Sequence, residues 1–411
     1  MLRSLSSAVL GLRNHQTKLD VVGNNIANVN TVAYKSDAAR FQDMFNQTLR
    51  GATTPMEGRG GVNPVQIGMG MELSSIDTNQ AQGAITDTGR ETDLAIEGKG
   101  FFVVNDGERD YYTRDGTFNR DSTGVLVNSN GLKLMGWLKE EGEELDISEN
   151  PGEIPIPLGE QMVARATSGI GFSGNLGAGE EEGEGIEYDT HVYDSLGTRH
   201  GLVFTFTKDS ENQWPYEVKL DDEDGTEIGS GTIGFTEAGN YDDDEDGATD
   251  IEAFTFDPDN GAAEMNVTPD FSDLTQLDFS SNITAKSQDG FSPGELATFN
   301  IESTGVITGT YTNGIVREIG QVAMASFANP EGLSKMGSNL YDISGNSGDP
   351  RIGLPDTEGR GLIQSGALEM SNVDLANEFT EMITTNRAFQ ANTRVISTSD
   401  EVLLELINIS R

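Results

Sequence analysis

The chain has 411 residues, 68 Asp and Glu against 26 Lys and Arg, a formal net charge of −42, and no cysteine. That balance excludes the basic footprint that phosphate backbones require, so no nucleic-acid binding is expected; the missing cysteine excludes disulfides, thiol chemistry and Cys-ligated metal. There is no run of 18 apolar residues, so no membrane insertion is expected, and 50 glycines with 35% hydrophobic residues suit short strands and many turns, in two to four domains.

The N-terminal segment carries Leu2, Leu5, Val9, Leu12, Leu19 and Ile26 in a heptad register interrupted by Gln16 and Gly23. The spacing predicts a long amphipathic helix over residues 1–28 that cannot bury its stripe alone. It lacks a continuous apolar stretch and a small-residue cleavage site, so it does not read as a secretory signal peptide. Asn24, Asn25, Asn28, Asn30 and Thr31 are good Asx-turn and left-handed formers and end that helix. A short amphipathic piece follows (Phe41, Met44, Phe45), then a Gly-rich linker around Gly58 to Gly61.

Strands come next. Phe101 to Val104 is an apolar run bounded by Gly100 and Asn105-Asp106-Gly107. Val125 to Val127 and Leu132 to Leu134 flank Asn130-Gly131, and Gly305 to Tyr311 and Ile315 to Ile319 flank Asn313-Gly314, both hairpin signals. Leu202, Phe204 and Phe206 alternate with polar or smaller residues, as do Phe254 and Phe256, which predicts half-buried strands. Gln321 to Phe327 reads as a further strand.

Residues 140–260 hold 33 acidic and 4 basic residues, whereas residues 1–50 hold 3 and 6, and residues 370–411 hold 6 and 3. The near-neutral ends can pack against copies of themselves; the acidic body must face solvent and salt. This composition points to a halophilic setting. Within the body, Asp242, Asp244, Asp246 and Asp250 fall at EF-hand-like positions 1, 3, 5 and 9, with Gly247 at 6. Ala253 stands where the bidentate Glu belongs, so the set is an incomplete calcium candidate beside the plainer reading of a solvated loop. No other metal site or cofactor is expected: His15, His191 and His200 lack ligand spacing, and there is no nucleotide loop, nucleophile elbow or triad. An enzyme is not expected.

The C-terminal segment predicts a second long helix over residues 374–409. Leu375, Met382, Phe389, Ile396 and Leu403 share one seam position and Phe379 and Ile407 the other, with polar Asn386, Thr393 and Asp400 interrupting the latter. Ser371 and Asp374 have capping-box spacing, and Asn372 is an alternative cap.

The residues just inside these helices carry a resemblance. Gly23-Asn24-Asn25-Ile26-Ala27-Asn28-Val29-Asn30-Thr31 with Ala33-Tyr34-Lys35 resembles the N-terminal signature of the rod and hook axial proteins of the bacterial flagellum. Ser365-Gly366-Ala367-Leu368-Glu369-Met370-Ser371-Asn372-Val373-Asp374-Leu375 and Asn386-Arg387-Ala388-Phe389-Gln390-Ala391-Asn392 are similar to its C-terminal pattern. Gly68 to Gly83, Thr92 to Val104, Tyr111 to Phe118, Gly294 to Ile307 and Phe327 to Leu333 extend the likeness. His191 to Thr198 resembles the start of the outer domain found in the hook branch.

The resemblance implies an α+β multidomain chain. Terminal helices (1–30 plus 371–411) would pair as an α-helical coiled-coil polymerisation core. A connecting, export-related segment (31–75) follows. Two mainly antiparallel β domains are then inserted in series: an inner one (76–165 plus 284–370) and an acidic outer one (166–283). It further implies a homopolymer, helically stacked into a hollow, bendable tube that passes torque from rod to filament. The partners would be the distal rod protein, hook cap, hook–filament junction protein and flagellar type III export apparatus. The location would be extracellular, in the flagellar hook and basal body, reached without a cleaved signal. Two alternatives stay open: a straight, rigid distal rod protein, and a secreted acidic calcium-binding surface protein, which leaves both terminal signatures unexplained.

Overall fold

The computed structural model describes residues 2–55, 59–139, 145–159, 161–210, 212–221, 225–242 and 251–409. Two long helices stand at the ends, α1 (Leu2–Ala27) and α2 (Leu375–Ile409), and the described residues between them are almost entirely β structure. At ~1.5 Å per residue the helices are about 39 and about 52 Å long. The chain divides into two compact units: Met1–Ile156 with Asn300–Thr308 and Glu318–Arg411, and Pro157–Phe299 with Gly309–Arg317.

The second unit is built by alternation. Strands Gly185–Tyr193, Arg199–Thr207, Gln213–Leu220 and Glu227–Gly234 form an antiparallel meander. A second sheet runs in the order Phe254–Phe256, Met265–Thr275, Gly169–Asn175, Asn282–Gln288. One of its pairs is parallel, Gly169–Asn175 with Met265–Thr275, which local patterning does not reveal because the partners lie far apart in sequence. Leu202, Phe204 and Phe206 all turn inward, as their period-2 spacing predicts, and join Phe172, Trp214, Tyr216, Phe254 and Phe271 in one core fed by both sheets. Phe172 stacks on Phe271 at 5.1 Å and meets Phe204 edge-on at 4.8 Å. Each buried aromatic contributes roughly 1.5–3 kcal/mol.

The unit is wider than residues 166–283. Met162 pairs with Gly294, Arg165 bridges Phe291, and the Thr312 amide donates to the Glu295 carbonyl. These ladder bonds carry the flanking chain and the Asn313-Gly314 turn into the same body. The His191 to Thr198 motif closes on a buried carboxylate: Asp194 Oδ1 accepts from the Leu196 and Thr198 amides at 2.9 and 2.8 Å, and Oδ2 from His200 Nε2 at 2.9 Å. Burial pushes this carboxyl up, but the hydrogen bonds of His200, Asn260 and the two amides outweigh it and hold it well below the usual range.

In the first unit, strands Phe101–Asn105, Asp110–Thr113, Lys133–Leu138, Met324–Ser326 and Leu340–Asp342 share an antiparallel sheet. One face packs Phe101, Val103, Tyr112, Trp137 and Tyr341 together. The Asn128 to Gly131 turn forms as its sequence predicts, with Gly131 at φ +80° and Asn128 Oδ1 accepting from the Asn130 and Leu132 amides. Short ladders tie late chain to early chain, Leu362–Ser365 to Leu94–Glu97 and Ala367–Glu369 to Ile85–Asp87. The segment 31–75 is more than a connector. Asp37–Asp43 pairs with Met71–Thr78, and Asn46–Arg50 with Val65–Gly68.

Candidate functional site

The two chain ends meet, and they meet through polar chemistry. Past α1 the Asn28 side chain donates to the Asn24 carbonyl at 3.0 Å and accepts from Thr31 Oγ1 at 3.1 Å, which stops the helix as the Asn-rich sequence predicts. Asn30 is exposed. Asn25 turns inward instead: its Nδ2 donates to the Asp37 carbonyl at 2.8 Å and to Glu378 Oε1 of α2 at 3.1 Å, while its Oδ1 accepts the Asp37 amide. Tyr34 donates to the same Oδ1 and accepts from Asn24; burial, then Asp37 and Glu378, push its hydroxyl up to about 12.

The cap of α2 is Asp374 itself, whose Oδ1 accepts from the Ala376 and Asn377 amides at 2.9 and 3.3 Å. Ser371 is therefore not the helix cap, and its hydroxyl accepts the Val373 amide. Asn372 does not cap either. It accepts the Ser36 amide at 2.8 Å and donates to the Asn79 and Ala81 carbonyls, clamping three separate stretches.

Beneath this clamp lies a buried ion triad. Lys35 Nζ sits 2.6 Å from Glu369 Oε1 and donates to the Ala81 carbonyl at 2.8 Å. Arg114 Nη1 reaches Glu369 Oε2 at 3.2 Å, and the Gly83 amide gives Oε1 a further bond. Glu369 is 0% exposed and Lys35 1%. Burial lowers both Lys35 and Arg114 from their ordinary values, and Glu369 opposes it for each. The Ala33 amide donates to the Glu369 carbonyl with Ala33 held at φ +56°. Sequence reasoning placed Lys35 and Glu369 within the signatures but gave them no role. Their signal is a lone charge inside runs of small and apolar residues.

The helices lie antiparallel: Gly11 faces Asn392, Lys18 pairs with Glu381 at 3.0 Å, and Asn25 bonds Glu378. A Cβ on Gly11 would come within 2.8 Å of the Asn392 side-chain amide, which would have to shift to make room for it. Along α1 the buried residues are Ala8, Gly11, Val22 and Asn25, one position before the heptad row read from the sequence. Leu5, Leu12, Leu19 and Ile26 are half-buried on its flank, Val9 is 40% exposed, and the Leu2 side chain lies outside the described residues.

Along α2, Met382, Phe389, Ile396 and Leu403 are half-buried together, but the second covered row is Glu378, Thr385, Asn392 and Ser399. Phe379 and Ile407, assigned to that seam, are exposed, as is Leu375. The physical reason is size and polarity. The intrachain contact is made by small and hydrogen-bonding side chains, which a search for apolar periodicity passes over. Of the calcium candidates, Asp242 is half-buried and Asp244, Asp246 and Asp250 lie outside the described residues. Among the described residues no group of three or more acidic or His side chains is placed to hold a metal.

Four family models match in chain order. They are flagella basal body rod protein at residues 5–35, flagellar hook protein FlgE/F/G D1 domain at 95–170, flagellar basal body protein FlaE D2 domain at 184–291, and flagellar basal body rod FlgEFG protein C-terminal at 364–409. The chain is 39% identical to the flagellar hook protein FlgE of Borreliella burgdorferi and 38% to that of Treponema pallidum, each covered end to end by all of this chain. The crystal structure of the Helicobacter pylori hook protein FlgE2 shares the fold, with a TM-score of 0.56 and 17% identity over 69% of this chain and all of that one. A full-length relation at that level, with both terminal signatures and both body domains matched in order, shows that the chain belongs to the flagellar hook protein family of rod and hook axial proteins.

Proposed function

We propose that this chain is a structural subunit of the flagellar hook, a helical homopolymer forming a hollow, bendable tube, and not an enzyme. The observation that carries the assembly is the apolar surface left on α2 although it is already paired with α1. Phe379, Ile383, Val395, Val402, Leu406 and Ile409 are each 40–77% exposed. Burying such side chains contributes roughly 1.5–3 kcal/mol apiece, so neighbouring copies are their natural cover. On this reading the polar intrachain contact leaves the apolar positions to intersubunit seams: Leu2, Leu5, Val9, Leu12, Leu19 and Ile26 of α1, with Leu375, Phe379, Met382, Phe389, Ile396, Leu403 and Ile407 of α2. Coiled-coil geometry would be completed between copies. The acidic unit takes the outer layer, where wet, polar contacts can slide as the tube bends.

Several further parts of the proposal come from the family resemblance. The N-terminal region is read by the type III export apparatus without cleavage, and the rod, cap and junction proteins adjoin the tube. The hook reading is preferred to the rod reading because the 38–39% relatives are hook proteins and the acidic insert matches a D2 domain. The test is polymerisation of Phe379→Asp/Ile383→Asp followed by electron microscopy. The expected result is loss of tubes with the β spectrum retained. Normal tubes from that variant would refute the helical seam, and straight tubes from the wild type would favour a rod.

A further inference from the structure

The first unit holds a cavity of about 390 Å³ whose walls are unusually basic for this chain. Lys99, Arg114 and Arg351 line it, with Phe101, Phe327 and Pro330 supplying apolar surface. Its one acidic wall residue, Glu358, is engaged by Arg360 at 3.1 Å. Lys99 and Arg351 are exposed, and neither makes an ion pair among the described residues. Arg114 stacks its guanidinium 5.4 Å from the Phe101 ring and shares the single Glu369 carboxylate with Lys35. The buried triad therefore carries more positive than negative charge. Its Arg114 Nε is buried without a hydrogen-bond partner. In a molecule with 68 acids and 26 bases, two cations without an ion pair beside a third that shares its carboxylate are an unmet demand for an anion.

The geometry points to an intersubunit socket: the cavity receives the acidic turn Gly179 to Gly185 of a second copy. This rests on the reading of the chain as a polymer subunit. That turn carries Glu181, Glu182 and Glu184, all exposed, between Gly179, Gly183 and Gly185. Gly183 at φ +87° makes it a narrow tip, and Glu180 is already held by Ser281 at 3.0 Å. One or two glutamates reaching the rim meet Lys99 and Arg351, and their methylenes lie on the aromatic wall.

A charge-swap cycle tests the socket. Lys99→Glu/Arg351→Glu and, separately, Glu181→Lys/Glu182→Lys are expected to lower the temperature at which polymer dissociates. Combining all four is expected to restore it. Wild-type stability of the first variant, or no restoration in the combined one, overturns the socket while leaving the hook reading intact. Failure of the wild-type chain to polymerise strikes the hook reading itself. A titration on the full-length monomer decides the socket even then, with a labelled peptide of residues 179–187 as probe. Binding weakened tenfold or more by Lys99→Glu/Arg351→Glu supports it. No binding, equal binding to that variant, or displacement by inorganic phosphate at the peptide's own concentration overturns it, the last leaving only a small-anion site.

Discussion

The terminal region and the acidic unit are held together by opposite means. The acidic unit buries Phe172, Phe204, Phe206, Trp214 and Tyr216 at 0–1% exposure in one core, with Asp194 its one buried carboxylate among the described residues. The terminal region buries Lys35, Arg114 and Glu369, and joins its helices through Gly11, Asn25, Glu378 and Asn392. An apolar core tolerates substitutions that conserve its volume, whereas removing one member of a buried ion network leaves an uncompensated charge. The lesson is a division of labour. The acidic unit carries an apolar core of its own, while the terminal region closes only when residues from both ends of the chain come together.

The comparison can be broken on either side, and the two tryptophans make each side visible. Trp137 lies in the first unit and Trp214 in the second, both buried, so Trp137→Phe and Trp214→Phe backgrounds report one unit apiece. The largest effect is expected from Glu369→Ala, which strands two buried cations and costs about 3–5 kcal/mol. Urea denaturation followed through Trp137 should shift to lower midpoint, with the Trp214 transition unmoved. Phe204→Ala should do the reverse, at about 3–5 kcal/mol in the Trp214 transition, because it empties the centre of the aromatic core. If either variant moved both transitions equally, the separation into two kinds of cohesion would be wrong.

A smaller effect sharpens the polar side. Ala33 sits buried at φ +56°, where an L side chain is disfavoured by roughly 1–2 kcal/mol. Ala33→Gly relieves that, and the added freedom of the unfolded chain offsets part of the gain. The net expectation is a stabilisation of about 0.5–1 kcal/mol, read from the Trp137 transition.

How much of this was legible follows from the same contrast. Long-range periodicity marks both helices to within a residue or two, and period-2 alternation marks Leu202, Phe204 and Phe206 on one strand face. Asn130-Gly131 and Asn313-Gly314 announce their turns because turn chemistry is local. What stays hidden is interaction between distant polar groups. Nothing near Lys35 says that its partner is Glu369, and nothing in Asn372 separates a helix cap from a clamp on Ser36, Asn79 and Ala81. The strand pairing of Asp37–Asp43 with Met71–Thr78 was missed because neither strand has a clean apolar face. The contact was read one residue out of phase on α1 and in one row of α2 for a related reason: the covered positions Gly11, Asn25, Glu378 and Asn392 are small or polar, and apolar periodicity does not mark them.

The smallest expected effect concerns Glu378, the half-buried acid of the helix contact that bonds Asn25. Its Oε1 accepts from Asn25, and its Oε2 is buried without a hydrogen-bond partner. Burial raises its carboxyl above the ordinary 4.5; Asn25 and Lys18 pull it down, and Glu381 and Asp374 push it further up. The folded helix pair therefore binds a proton that the unfolded ends release. Stability from this group is fully present below about pH 4.5 and is lost as pH rises through the folded value. His15 on α1 acts in the opposite sense. Burial lowers it, so it favours the fold increasingly as pH rises toward 6.5. Comparing Glu378→Gln with wild type at each pH cancels the histidine. The variant should match wild type near pH 4 and melt at higher temperature near pH 7, with helical ellipticity as the readout, since α1 and α2 supply nearly all the helix among the described residues. A constant difference across that range would mean that the Glu378 carboxyl binds its proton equally in the folded and the unfolded chain, so that burial at the contact leaves it unperturbed.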